Sequence, residues 1–226
     1  MRNYLFPPLL LPLFLLVILP LFALTLLLAS STTFQILFGL DYEAAVTLFA
    51  LIVIGSFINI PVYEKEGREV VKEYSFFGLL YYVQYRNRIT VAVNLGGCIM
   101  PSILALKLIA ELPPLAFAVS FSVSTAVIYF FARPVEGLGI AVPMFIPPAI
   151  SALASYMAVF LFSIHPILVP KLAFASGVMG ALFGADILHL KDIEKIGAGV
   201  VSIGGAGTFD GIFLTGIFAV IFALMV

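Results

Sequence analysis

The chain is 226 residues long, 63% hydrophobic and only 10% charged, with a mean hydropathy of +1.21. Soluble domains average about 25% charged residues, so this composition excludes an ordinary soluble fold and points to an integral membrane protein. A net charge of −1 argues against a nucleic-acid-binding surface. The one cysteine, Cys98, leaves no disulfide framework and no thiolate zinc site, and the two distant histidines, His165 and His189, lack metal-ligand spacing. No cofactor and no metal are indicated.

Crossing a bilayer takes about 20 mostly apolar residues. Windows of that kind predict helices over 5–29, 43–62, 89–111, 113–132, 142–163, 168–190 and 203–225, about seven transmembrane helices. The first is longer than the roughly 7–15 residues of a signal-peptide core and has no A-x-A site after it, so it reads as a retained helix. Between the second and third windows lies the longest polar segment, residues 63–90, where charges mix with β-branched and aromatic residues around Gly78. One reading is an amphipathic connector. The other is a two-stranded hairpin of Val70–Phe77 and Leu80–Arg88 that turns at Gly78 and leans on the helices or the membrane, because an isolated hairpin is marginal in water. Its exposed edge would be able to add a substrate strand. The fifth window carries Pro143, Pro147 and Pro148, preceded by Pro134, Gly137 and Gly139. Interior prolines break helices, so this stretch is expected to re-enter or to line a cavity. Glu136 at its edge is then either a cavity wall residue or a solvated loop carboxylate.

Lys and Arg gather in cytoplasmic loops. An N-terminus inside places Arg2, Lys65, Arg68, Lys72, Arg86, Arg88, Arg133, Lys191 and Lys195 on the cytoplasmic side and leaves only Lys107 and Lys171 near the outer face. The fold expected is therefore all-α and multi-pass in the cell membrane, N-in and C-out, a single polytopic domain over 1–226 with residues 63–90 as its one candidate β element. Helices one to three and five to seven share an orientation around the fourth, a 3+1+3 layout. The third helix of each set carries a glycine-rich polar break, VNLGGCIMPS (93–102) and GGAGTFDG (204–211). Parallel three-helix repeats of this kind build one class of small transporter.

Two ionisable residues lie inside apolar stretches near the C-terminus, Asp186 in FGADILHL and Asp210 in GGAGTFDGIFLTG. Such groups are costly in hydrocarbon and persist where they pair, conduct or catalyse. The topology puts Asp186 about one turn and Asp210 about two turns from the cytoplasmic boundary, on antiparallel helices. At such depth the two carboxylates would be able to face each other, share a proton and act as general base and general acid. Gly204, Gly205 and Gly207 precede Asp210, so backbone can approach a carboxylate or a substrate there. On the sixth helix Gly177, Gly180 and Gly184 form a small-residue stripe for close helix packing. The structural alternatives are equally concrete. Asp210 or Thr208 would cap the last helix, Asp186 would pair with His189 or Lys191, and Asn59 and Asn94 would hydrogen-bond between helices or line a cavity.

GAGTFDGIFLTG is similar to the Gly-x-Gly-Asp signature of presenilin and signal-peptide-peptidase type intramembrane proteases. That resemblance implies Asp210 and Asp186 as a catalytic dyad. Thr208 and Phe209 separate the glycines from the acid, and neither a Tyr-Asp pair nor a Pro-Ala-Leu motif accompanies it. From about residue 50 onward, FINIPVYE, AVNLGGCIMPS, GIAVPMFIPP, GADILHLKDI and SIGGAGTFDGIFLTG resemble a prokaryotic multi-pass membrane family of unknown function, which implies a polytopic fold and no particular activity.

Three functions are consistent with these residues. An aspartyl protease-like hydrolase would use Asp186 and Asp210 on a transmembrane peptide, with Gly204, Gly205, Gly207 and Thr208 positioning it. A small-solute or proton-coupled transporter would bind between Asn94 and Asp210, with Asn59 nearby. A membrane scaffold would recruit a partner through residues 63–90. The partners implied are the lipid bilayer together with a membrane peptide or a small solute. Oligomeric state is not encoded legibly.

Overall fold

The computed structural model describes residues 10–76, 79–135, 139–195, 199–205 and 211–225, with side chains over 15–64, 89–135, 139–192, 200–205 and 211–225. The chain divides into two compact units, Met1–Ala50 and Leu51–Val226. In the first, α1 (Leu10–Phe38) ends at Gly39, whose N–H bonds Gln35 O at 2.9 Å with φ +65°, a left-handed helix stop that suits glycine. Asp41 Oδ1 then accepts the N–H of Ala44 at 2.8 Å and starts α2 (Tyr42–Gly55). Leu15 to Leu19 of α1 are all more than two-fifths exposed, so this stretch is apolar and uncovered all the way round.

The second unit combines a sheet and a bundle. After α2 the chain becomes β1 (Asn59–Phe76), which pairs antiparallel with β2 (Leu79–Asn94) from Asn59↔Asn94 to Phe76↔Leu79. A single π turn, Leu95–Ile99, leads into α3 (Met100–Ile109), then α4 (Pro114–Phe131). A short hairpin of β3 (Arg133–Val135) and β4 (Gly139–Ala141) precedes α5 (Ile146–Leu161). Beyond it, α6 (Val169–Ala181) runs into a second π turn, Leu182–Asp186, and a 3-10 stretch, Ile187–Lys195. Last come β5 (Gly199–Ile203), parallel to β2, and α7 (Gly211–Met225).

Among the described residues three helices are long and apolar enough to cross a membrane, Leu15–Phe38, Pro114–Phe131 and Pro166–Asp192, and four shorter apolar helices accompany them. The helical membrane architecture read from composition is present, but the chain is not all-α. A hairpin does form in the 63–90 region, reaching further from its turn than expected, to Asn59 on β1 and Asn94 on β2, and β5 extends it to a sheet of order β1-β2-β5; Gly78 lies outside the described residues. The third window begins as strand because Ile89-Thr90-Val91-Ala92-Val93 is rich in β-branched residues and finds partners on both sides, β1 and β5. Gly96 and Gly97 then resist an immediate α-helix. The last window likewise opens as strand through Ile203. The fifth segment is a second correction: Pro147 and Pro148 occupy the first turn of α5, where an N–H has no partner to lose, so the prolines start a regular helix. Glu136 and Gly137 lie outside the described residues.

Hydrocarbon offers little hydrophobic drive between helices, so the bundle rests on close approach and hydroxyl pairs. In α6 every residue from Leu172 to Val178 is buried, with α3, α4, α5 and α7 around it. A Cβ on Gly180 would fall 2.9 Å from Ser124 Cβ, and one on Gly184 2.7 Å from Thr125 O, so both glycines seat α4. Gly177 turns elsewhere, toward Ser151 of α5 and Thr215 of α7. The expected stripe thus serves more than one interface. Ser120 and Ser155 hydroxyls lie 2.9 Å apart and join α4 to α5, and Ser155 also donates to Ser151 O at 2.7 Å. At the end of the bundle remote from the sheet, Tyr156 donates to Ala223 O at 2.5 Å. There too Lys171 Nζ meets Glu111 Oε2 at 2.6 Å.

Gly184→Ala should lower stability by about 1–3 kcal/mol through overpacking against α4, whereas Gly211→Ala, with nothing within 4 Å of the new methyl, should not. Thermal unfolding in detergent distinguishes them. The Lys171 hydrogen bond and charge hold the Glu111 carboxyl below its usual 4.5. A lowered folded value means the pair's contribution is complete above that pH and fades as pH falls through the folded value. Glu111→Gln should therefore cost a little stability at neutral pH and nothing in strong acid, the small size following from the pair's exposure.

Candidate functional site

Parallel pairing of β2 with β5 runs from Ile89↔Gly199 to Val93↔Ile203. The next residue on each path is Asn94 or Gly204, so the starts of the two glycine-rich breaks expected from sequence lie side by side, Gly204 against Cys98 and Gly205 against Asn94. Asn94 is 1% exposed and uses three of its four hydrogen-bonding capacities. Its Nδ2 donates to Ser56 O at 2.7 Å and to Asn59 Oδ1 at 3.0 Å, while its Oδ1 accepts the N–H of Gly97 at 2.7 Å. The Ser202 hydroxyl on β5 donates to the same Asn59 Oδ1 at 2.5 Å. Asn59 and Asn94 are thus joined, across two strands instead of between two helices.

Glycines let three backbone paths meet here. A Cβ on Gly96 would collide with Ile52 O of α2, and Gly55 on the facing side is 3.0 Å from Gly96 N by the same measure. Gly204 adopts φ +73°, a left-handed conformation, and Cys98 fills the space where its side chain would be. On Gly205 a methyl would come 2.7 Å from Ser202 Oγ and 2.8 Å from Asn94 Nδ2. Side chains of this same chain therefore occupy the room those two glycines leave.

Into this corner comes Asp186, the last residue of the second π turn, and its carboxylate accepts the backbone N–H of Gly204. The interaction ties the end of α6 to the turn that follows β5. His189 faces another way: it is buried, its Nδ1 lies 3.0 Å from Gly184 O, and its ring lies against Tyr129, tilted by 36° with centroids 4.7 Å apart. Among the described residues the partner of Asp186 is thus Gly204, where His189 or Lys191 was the structural alternative. π turns make up well under 1% of residues in folded proteins and concentrate at functional sites. Both π turns of this chain flank the same corner, one capped by Asn94 and one ending in Asp186.

The structure therefore brings together Asp186, Gly204, Gly205, Asn94 and Asn59. Gly207, Thr208 and Asp210 lie outside the described residues. Sequence reasoning missed Ser202, Ser56 and Cys98; of these only Ser202, the polar residue in the apolar strand before the glycine pair, carried a visible signal. Among the described residues no three His, Cys, Asp or Glu converge as metal ligands.

This chain belongs to the family described as protein of unknown function DUF1614, whose model matches residues 53–222. No curated protein and no solved structure matches it.

Asn94→Ala should cost roughly 4–6 kcal/mol, at about 1 kcal/mol for each of three lost hydrogen bonds plus about 1–3 for the stranded Gly97 N–H. Ser202→Ala removes one bond to a shared acceptor and should cost about 1 kcal/mol. Chemical unfolding of the two variants in detergent gives the order, and equal losses would remove Asn94 from its place as the organising residue.

Proposed function

We propose that this DUF1614 member is an intramembrane acid–base hydrolase that cleaves a membrane-embedded peptide with Asp186 and Asp210. The observation that carries the reading is the hydrogen bond from the Gly204 N–H to the Asp186 carboxylate. It anchors the first acid to the start of the short run that ends in Asp210, immediately before α7. In the proposed reaction one aspartate, ionised, takes a proton from water as that water attacks the scissile carbonyl, and the other, protonated, gives its proton to the departing amine. A pair that holds one proton between two carboxyls supplies both roles. The outer edge of β5, which ends at Ile203 just before Gly204, offers backbone groups for an extended peptide beside the acids. The three long and four shorter apolar helices serve as seven spans, N-in and C-out in the cell membrane, which places the site near the cytoplasmic face.

A second reading is favoured by the parallel alignment of Asn94 with Gly204. Two strands each leading through a glycine break into an apolar helix suit the paired half-sites of a small-solute transporter, with Asn94 and Asp210 as its polar lining.

In proteoliposomes, Asp186→Asn and Asp210→Asn should each lower cleavage of a transmembrane peptide by about 10²-fold or more while leaving the unfolding midpoint in place. Retained cleavage in either variant sinks the hydrolase. Solute uptake lost in both variants, without any cleavage by the wild type, establishes the transporter instead.

A further inference from the structure

The β1–β2 hairpin reaches well past its support. β5 covers β2 only over Ile89–Val93, so the outer part has two strands alone, an arrangement marginal in water. Its composition changes in steps along its length. At the base, Phe57, Ile58, Ile60, Val62 and Tyr63 are 44–76% exposed, as expected of a segment against lipid. The middle carries Glu64, Lys65, Glu66, Arg68, Glu69, Lys72 and Glu73 on β1 and Arg86 and Arg88 on β2. Charges fall at both alternating sets of positions, so neither face of the middle is apolar enough to lie flat on a bilayer. From Tyr74 to Tyr85 there is no charge at all.

The register sorts these residues into levels. Glu66 stands opposite Arg88 and Glu69 opposite Arg86 in the stem, Tyr74 opposite Tyr81 further out, and Phe76 opposite Leu79 at the tip. Charge ends at Glu73 on β1 and at Arg86 on β2, and beyond the Glu73–Tyr82 level come Tyr74 opposite Tyr81, Ser75 opposite Leu80 and Phe76 opposite Leu79. That order reproduces the gradient of a bilayer surface, where basic residues sit in the headgroups, tyrosines at the interface and Phe or Leu in hydrocarbon. A protein groove would require no tyrosine level between the charged stem and the apolar tip. We propose that the hairpin tip is a membrane anchor, inserting the Phe76–Leu79 level into the interface of a lipid bilayer with the Tyr74–Tyr81 level at headgroup depth. This contact is additional to the helical spans and independent of the hydrolase reading.

The chain contains no tryptophan, so a single introduced Trp reports its own surroundings. Phe76→Trp, Tyr81→Trp and Val71→Trp are made in the full chain and placed one copy per nanodisc in lipid brominated along its acyl chains. A parallel arm uses unbrominated nanodiscs mixed with brominated protein-free vesicles, which separates insertion into the chain's own bilayer from insertion into a facing one. Quenching should be about two-fold at position 76, weaker at 81 and absent at 71 in one of the arms. Adding Leu79→Asp and Leu80→Asp to Phe76→Trp should abolish it, and Leu80→Trp serves as reporter if Phe76→Trp does not fold. Equal or absent quenching at the three positions in both arms overturns the proposal. So does blue-shifted emission that neither lipid source quenches, since a protein surface would then cover the tip.

Discussion

Strand backbone at the edge of a membrane bundle presents N–H and C=O groups that hydrocarbon leaves unpaired, each at a cost of several kcal/mol. The buried Asn94 amide meets that requirement where four segments converge. It binds the end of α2 through Ser56 O, the start of β1 through Asn59 and the first π turn through Gly97 N–H. Without it the turn after α2, the start of β1 and the first π turn would lose their common partner, while β5 would keep its backbone ladder to β2. The glycines at 55, 96, 204 and 205 are subordinate to this junction, since they allow the backbones to come within reach of one amide.

Much of the helical architecture was legible because the bilayer imposes a length that composition reveals directly. Helix ends were not. Ile89–Val93 and Val200–Ile203 are as apolar as any helix, and what makes them strands is partnership with each other, which no local window contains. The prolines misled for a related reason: a proline that breaks a helix interior also starts a helix, and the difference lies only in where the first turn falls. Asp186 was legible as an ionisable residue out of place. Its partner was not, because a backbone N–H has no residue type to betray it.

The site and the bundle solve the same difficulty in different ways. In the bundle, some polar groups are satisfied within or between neighbouring helices, as Ser155 is by Ser120 and Ser151 O, while the buried Ser102, Ser124 and Thr125 hydroxyls have no hydrogen-bond partner among the described residues. At the corner, regular helix gives way twice to π turns, strands end, and a carboxylate rests on a main-chain donor. A helical membrane protein tolerates such irregular backbone only where protein or a polar cavity surrounds it. The concentration of all these departures at one place is what sets it apart from the rest of the second unit.

The far end of the bundle is closed differently. Lys171 clasps Glu111 across the starts of α4 and α6, and Tyr156 pins the last carbonyls of α7 to α5. The second unit is therefore fastened at one end and joined at the other mainly by hydrogen bonds to backbone. Of the two fastenings the Lys171–Glu111 pair is exposed and weak, so the Tyr156 hydroxyl on the Ala223 carbonyl is the one whose loss would loosen that end.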